Sequence, residues 1–454
     1  MRRKPPPKSV LRLLGLALAL ALSADGAAVA QVVGRVPGPA LGPALPSLPD
    51  LLAPVDALTG LPRTVDRVAG QSLADLRRVA AQRLVRAHRD LIDVDDQGEP
   101  VVRGEVTLLS PTPEALAVAR QAGLGIGEET VLPDLDLTIV TLHAPAGLSA
   151  REAIRRLRRL DPKGHYDFDH IYLPSGAVPL TGTDPAALGG PGQGLRIGMV
   201  DGGIAAHASL AGAAVEQRGF APGGVRPTAH ATAIASLLAG RDGAFRGAAP
   251  GARLLAADVY GTTPTGGSAL IIARALAWLA QARTPVICVS LVGPQDGVIK
   301  AAVNALLERG VLLVAAVGND GPAAPALYPA GYPGVVAVTA VDAHRRVLPE
   351  AGRGTHVDFA APGADMAGAA PGGGYVILRG TSFAAPLVAG RLALLSGPLP
   401  DRAAAAKALA VLGSEATDLG APGPDPIYGR GLVAFDLRVP PATAHAVIAR
   451  PPAP

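Results

Sequence analysis

Between residues 194 and 341 the chain alternates short apolar runs with longer amphipathic stretches, and this alternation constrains its fold more than any other feature. The runs LRIGMVD, ARLLAADVY, PVICVSL, VLLVAAVGN and VVAVTAVD are continuously apolar, with ATAIASLLAG, SALIIARALAWLAQA and GVIKAAVNALLERG set between them. A strand that is apolar on both faces must be covered on both faces. The segment therefore reads as an α/β fold with a doubly wound, mostly parallel sheet flanked by helices. In such sheets ligands and chemistry gather beyond the carboxyl ends of the strands. Polar residues stand there: Asp201 closes the first run, Ser290 approaches the end of the third, and Asn319 closes the fourth.

A chain of 454 residues with 49% hydrophobic content has apolar surface enough for a large core and for more than one folded unit. Aromatics make up only 3% while Gly (56) and Pro (44) abound, so the core is built from Ala, Val and Leu joined by tight turns. The net charge of +4 is spread thinly rather than gathered into a basic stripe, which argues against a nucleic-acid partner. Cys288, the single cysteine, forms no intramolecular disulfide and reads as an inert buried residue in VICVSL.

Upstream, residues 1–30 pair a basic head (Arg2, Arg3, Lys4, Lys8, Arg12) with an apolar stretch over Leu13–Leu22 and a final Ala28-Val29-Ala30. That is the layout of a secretory signal peptide, too short in its apolar part to span a bilayer. The expectation is a secreted or periplasmic protein with no stable membrane anchor once the signal is removed. Residues 31–70 are proline-rich and read as a linker. A helix follows whose Arg77, Arg78, Arg83, Arg86 and Arg89 read as a solvated face. From Val101 to Ser175 the order strand, helix, strand, strand, helix, strand suggests a small α+β ferredoxin-like domain, bounded at 71–180. Thr112 and Ser149 are its candidate helix N-caps. His165 and His170 lie near its last strand without a third ligand in view, so they read as surface or core histidines. The Gly- and Pro-rich stretch after Ser175 marks a domain boundary, beyond which 190–440 form the main domain and 441–454 a Pro-rich tail.

Two further residues have the chemistry for catalysis. His230 stands at the head of a run of small residues (Ala231, Ala233, Ala235, Ser236), which places an imidazole at a helix start. Ser382 lies in RGTSFAAPLVAG, where Gly380 permits a sharp turn and Pro386 suits a first helical turn. Taken alone it reads as an ordinary N-cap serine.

Together, Asp201, His230, Asn319 and Ser382, in that order, resemble the subtilisin-like serine proteases. The likeness spans about Gly194 to Leu437 and runs through MVDGGI, HATAIASLLAG, GAAPGARLLAADVY, VICVSLVGP, LLVAAVGNDG, YPAGYPGVVAVTAVD, DFAAPG, RGTSFAAPLVAG and YGRGLV. It implies Ser382 as nucleophile, His230 as base, Asp201 as its orienting acid, and the Asn319 amide with the Ser382 backbone N–H as oxyanion hole. It further implies that Ser290, Leu291, Val292 and Gly293, with Ala315, Ala316, Val317 and Gly318, line the cleft for polypeptide substrates. The domain before it resembles a propeptide that acts as intramolecular chaperone or inhibitor. No cofactor is needed for the chemistry; structural calcium is common in the family, but no acidic loop here has its spacing. Gly202 after the acid, Ala233 in place of a second histidine, and Val292 and Val317 depart from the family pattern. They leave a catalytically weak binding or regulatory module as the alternative function, with a serine esterase as a third.

Overall fold

The computed structural model describes residues 66–175, 192–398 and 400–444. The expected signal segment, most of the expected linker, the 180/190 boundary and the end of the tail lie outside the described residues. The first element, α1 (Asp66–Ala87), begins inside the segment expected to be linker. It runs through Gly70, because one helical glycine costs only about 1 kcal/mol and the residues after it are good helix formers.

The N-terminal unit continues with β1 (Ile92–Val94), β2 (Pro100–Leu109), α2 (Pro113–Gln121), β3 (Gly125–Leu132), β4 (Leu137–His143), α3 (Ala150–Leu160) and β5 (His165–His170). Strands β3, β4, β2 and β5 lie side by side in that order, all antiparallel, with β1 on the start of β2. Thr112 Oγ1 accepts from the Ala115 amide at the head of α2, and Ser149 with Glu152 forms a reciprocal capping box at the head of α3. One sheet face packs Val106, Leu108, Val140 and Leu142 against Ala119, Ala153, Ile154 and Leu157 of the two helices.

After the two-residue strand β6 (Leu173–Pro174), the larger domain is built from β7 (Arg196–Asp201), β8 (Val215–Gly219), α4 (Ala229–Ala239) and the short hairpin of β9 (Arg241–Asp242) and β10 (Phe245–Arg246). Then come β11 (Arg253–Asp258), α5 (Ala269–Gln281), β12 (Val286–Val289), β13 (Leu291–Val292), α6 (Gly297–Glu308), β14 (Leu312–Ala316), β15 (Val336–Val341) and β16 (Phe359–Pro362). The hairpin β17 (Ala364–Ala369) and β18 (Tyr375–Arg379) leads to α7 (Ala385–Ser396) and α8 (Arg402–Glu415).

Seven strands form one sheet in the order β16-β15-β14-β12-β7-β11-β8, and every pairing in it is parallel. Alternate residues of each strand enter opposite cores. Met199, Cys288 and Val314 join α4 and α7 on one side. Val200, Ile287 and Leu313 join α5 and α6 on the other. Small residues let the first pair of helices press close to the loop before β11: a Cβ on Gly390 of α7 would stand 2.4 Å from Ala248 Cβ.

Candidate active site

The parallel register brings the ends of β7, β12 and β14 side by side, and the residues read from the sequence as chemical lie there. Asp201 is the last residue of β7 and is 1% exposed. Its Oδ1 accepts from the Gly202 amide at 2.7 Å, and its carboxylate meets His230 Nδ1 at 2.9 and 3.1 Å. Because a carboxylate only accepts, Nδ1 carries the ring proton, and the lone pair falls on Nε2. That Nε2 is buried and has no hydrogen-bond partner.

Thr228, which the sequence reading passed over, fixes His230. Its hydroxyl caps α4 by accepting from the Ala231 amide at 3.1 Å, putting the imidazole in the first turn of the helix. It also fills the space beside Gly202, where an added Cβ would meet Thr228 Cγ2 at 2.7 Å and Oγ1 at 2.8 Å. The glycine after the acid is therefore matched by a threonine from the neighbouring helix cap. A second buried acid, Asp258, ends β11 in register with Asp201. Burial pushes its carboxyl upward, with the Asp201 charge adding to the effect, while three backbone amides hold it in the opposite direction.

Ser382 lies in a short 3₁₀ turn, Thr381–Phe383, just ahead of α7, rather than in the helix proper. Gly380 before it has φ 140°, which explains why a residue without a Cβ stands there. Phe383 packs its ring on His230, centroids 5.4 Å apart. The Ser382 hydroxyl donates to Ser290 O at 3.2 Å, and Ser290 Oγ returns a bond to Ser382 O at 3.1 Å. Asn319 is oriented by accepting from the Thr381 amide at 3.0 Å, so its Nδ2 faces the cleft.

Of the expected cleft residues, Ser290 to Gly293 form one wall. Ala315 and Ala316 are fully buried strand residues, one in each core, so the second wall begins only at Val317 and Gly318. Cys288 is fully buried, and burial pushes its thiol up to about 12. His207 caps a 3₁₀ turn, bonded to Ser209 Oγ and Gly374 O at 2.8 Å each, and is not a partner of Asp201.

The cleft is not empty of chain. Segment 171–175 enters it as an antiparallel strand: β6 pairs with β13, Ile171 bridges Ser268, and the Tyr172 amide donates to Gly267 O at 2.9 Å. The Ser175 amide donates to Ser290 O at 3.2 Å, the same oxygen that receives the Ser382 hydroxyl. Asn319 Nδ2 donates to Ser175 Oγ at 2.9 Å.

Buried polar contacts join the N-terminal unit to the larger domain. Asp167 accepts from the Gly297 amide at the head of α6, and Asp169 from the Leu270 amide at the head of α5, where helix dipoles favour negative charge. His170 lies between Asp296 Oδ2 at 2.9 Å and Asp95 Oδ2 at 3.3 Å. Arg77, expected on a solvated helix face, is instead mostly buried and binds Glu99 and Asp320 at 2.6–2.8 Å. Asp320 directly follows Asn319. No signal local to Arg77 reveals this, since its partners are 22 and 243 residues away.

Among the described residues, no three or more His, Cys, Asp or Glu are grouped to hold a metal ion. No helix among them is long and apolar enough to cross a membrane.

A seven-stranded parallel α/β domain with a buried Asp–His pair, a serine before a helix and a strand-binding cleft has the architecture of a serine-type endopeptidase. The chain belongs to the subtilase family, whose sequence profile matches residues 192–431. It is 29% identical to Subtilisin E of Bacillus subtilis over 279 residues, covering 57% of this chain and 72% of that protein. It is 34% identical to Subtilisin Savinase of Lederbergia lenta over 253 residues, 53% of this chain and 89% of that one. Its fold is similar to that of fervidolysin from Fervidobacterium pennivorans, a keratinolytic enzyme related to subtilisin, with a TM-score of 0.62 at 21% identity over 76% of this chain and 62% of that one. The chain is thus a serine-type endopeptidase that acts on polypeptides.

Proposed function

We propose that Asp201, His230 and Ser382 are the catalytic triad and that the Asn319 amide, with the Ser382 backbone N–H, binds the oxyanion. The observation that carries this reading is the buried Asp201–His230 pair, whose free Nε2 lacks only the serine. A rotation of Ser382 about χ1 moves its hydroxyl from Ser290 O toward that nitrogen. Ser382 Oγ then attacks the peptide carbonyl as His230 takes its proton. The bond to the leaving nitrogen breaks as His230 returns the proton to it. Water, activated by the same imidazole, releases the acyl group from the serine. Asp201 holds the tautomer and balances the imidazolium charge. All the proton-moving groups are side chains of this chain, so no cofactor enters the scheme.

The same proposal makes residues 66–175 an internal inhibitor and folding aid. Its end lies along the cleft as an added strand, where a substrate would pair. A parallel sheet forms slowly because its contacts are non-local, and a docked template on α5 and α6 shortens that search. The enzyme acts outside the cytoplasm, a reading supported by the basic and apolar leader in residues 1–30.

The test is labelling with a fluorophosphonate once the N-terminal unit has been released. Wild type should be labelled and Ser382→Ala should not. A folded wild-type enzyme that stays unlabelled would sink the proposal.

A further inference from the structure

We propose that the cleft selects peptides with a small residue immediately before the cleaved bond and a tyrosine three positions upstream, and that Leu327 sets the first limit. This rests on the triad reading above and takes segment 172–175, Tyr-Leu-Pro-Ser, as the chain's own first substrate.

The position of Ser175 fixes the frame. Its amide and the Ser382 hydroxyl both donate to Ser290 O, each at 3.2 Å, and this shared acceptor assigns the Ser175 carbonyl to the nucleophile. Ser382 Oγ attacks that carbonyl carbon while its proton passes to His230. The bond to the following nitrogen breaks, that nitrogen takes the proton, and water frees the Ser175 carboxylate.

The space for the side chain before the bond is small. Ser175 is 4% exposed, with Oγ on Asn319 Nδ2 at 2.9 Å and 3.5 Å from Thr381 Oγ1. Between the two cleft walls stands Leu327, 7% exposed. A Cβ built on Gly318 would be 2.6 Å from its Cδ1 and 3.6 Å from Val292 Cγ1. The leucine thus lies against the glycine backbone, and with Val292 it occupies the gap that a long substrate side chain would need.

Three positions upstream the cleft is built for tyrosine. Tyr172 is fully buried, and its ring lies so close to Gly293 that a Cβ there would be 2.6 Å from Cδ1. Its hydroxyl donates to Pro294 O at 2.8 Å. A phenylalanine fits the same space but loses the hydroxyl's bond to the partly buried Pro294 carbonyl, a loss that sites built around a hydroxyl penalise.

The test follows self-cleavage of the full chain. The wild-type product should begin at Gly176. Ser175→Phe should be cut at least about tenfold more slowly, and so should Tyr172→Phe. Adding Leu327→Ala to Ser175→Phe should restore most of the rate, with cooperative thermal unfolding showing that each variant is folded. A second measurement needs no variant: processed wild type should cut a Tyr-Leu-Pro-Ser peptide at least about tenfold faster in kcat/KM than a Tyr-Leu-Pro-Phe peptide. A product starting elsewhere, equal rates for the two peptides, or a folded double variant without rescue overturns the assignment. The triad reading is judged separately: a wild type that neither reacts with a fluorophosphonate nor cuts itself overturns that reading instead.

Discussion

Replacing His170 with glutamine probes how the N-terminal unit is held on the larger domain. The imidazole is 3% exposed and bridges Asp95 of its own unit to Asp296, the N-cap of α6 in the other. Asp167 on the same strand adds a third carboxylate, and Tyr172 and Tyr332 complete the surroundings of Asp296. Burial alone lowers the affinity of the imidazole for its proton, but Asp296 and Asp95 outweigh it and raise His170 to about 10. The residue is therefore a buried cation between acids at neutral pH. Removing one member of such a group costs about 3–5 kcal/mol. The pH dependence has a definite sign. An unfolded histidine titrates near pH 6.5, so below that value both states carry the proton and the full contribution is present. Above it the unfolded chain releases the proton while the folded one keeps it, and the contribution falls by about 1.4 kcal/mol per pH unit until the folded group titrates. Urea unfolding of His170→Gln and its parent, both carrying Ser382→Ala to prevent self-cleavage, should differ most near pH 5.5–6.5 and converge toward pH 9.5. A difference that stays level or widens over that span would refute the clamp.

Two further outcomes follow from the catalytic end of the sheet. Gly202→Ser should cost about 1–3 kcal/mol, because the new Cβ meets Thr228 at 2.7–2.8 Å, and Thr228→Ala should remove most of that cost in a double-mutant cycle even as it loses the α4 cap; strictly additive losses would contradict the contact. Asn319→Ala should lower kcat by about 10²–10³ with little change in KM, a range measured for the matching donor in subtilisin, a relative, and adopted here as the expectation; a KM effect alone would show that the amide binds substrate and not the transition state.

What the sequence made legible was set locally. Each central strand is apolar on both faces and three of the intervening stretches have a helical period, so the doubly wound sheet follows without knowledge of any distant contact. The chemical residues lie in tight motifs at strand ends, and those strand ends meet because parallel neighbours keep register. The fit of the N-terminal unit is another matter. Arg77 occurs among arginines on a helix and reads as solvated until Asp320, 243 residues away, is placed against it. His170 reads as an ordinary histidine until Asp95 and Asp296, 75 and 126 residues away, close around it. Leu327 lies in a Pro- and Ala-rich loop with no periodicity to say that it faces Gly318. A charged or polar side chain is a surface residue by default, because desolvating it alone is costly, and only its partner reverses that expectation. Here one partner of each residue lies in the N-terminal part of the fold and the other in the larger domain, so the burial of Arg77 and His170 depends on contacts that no local stretch of sequence encodes.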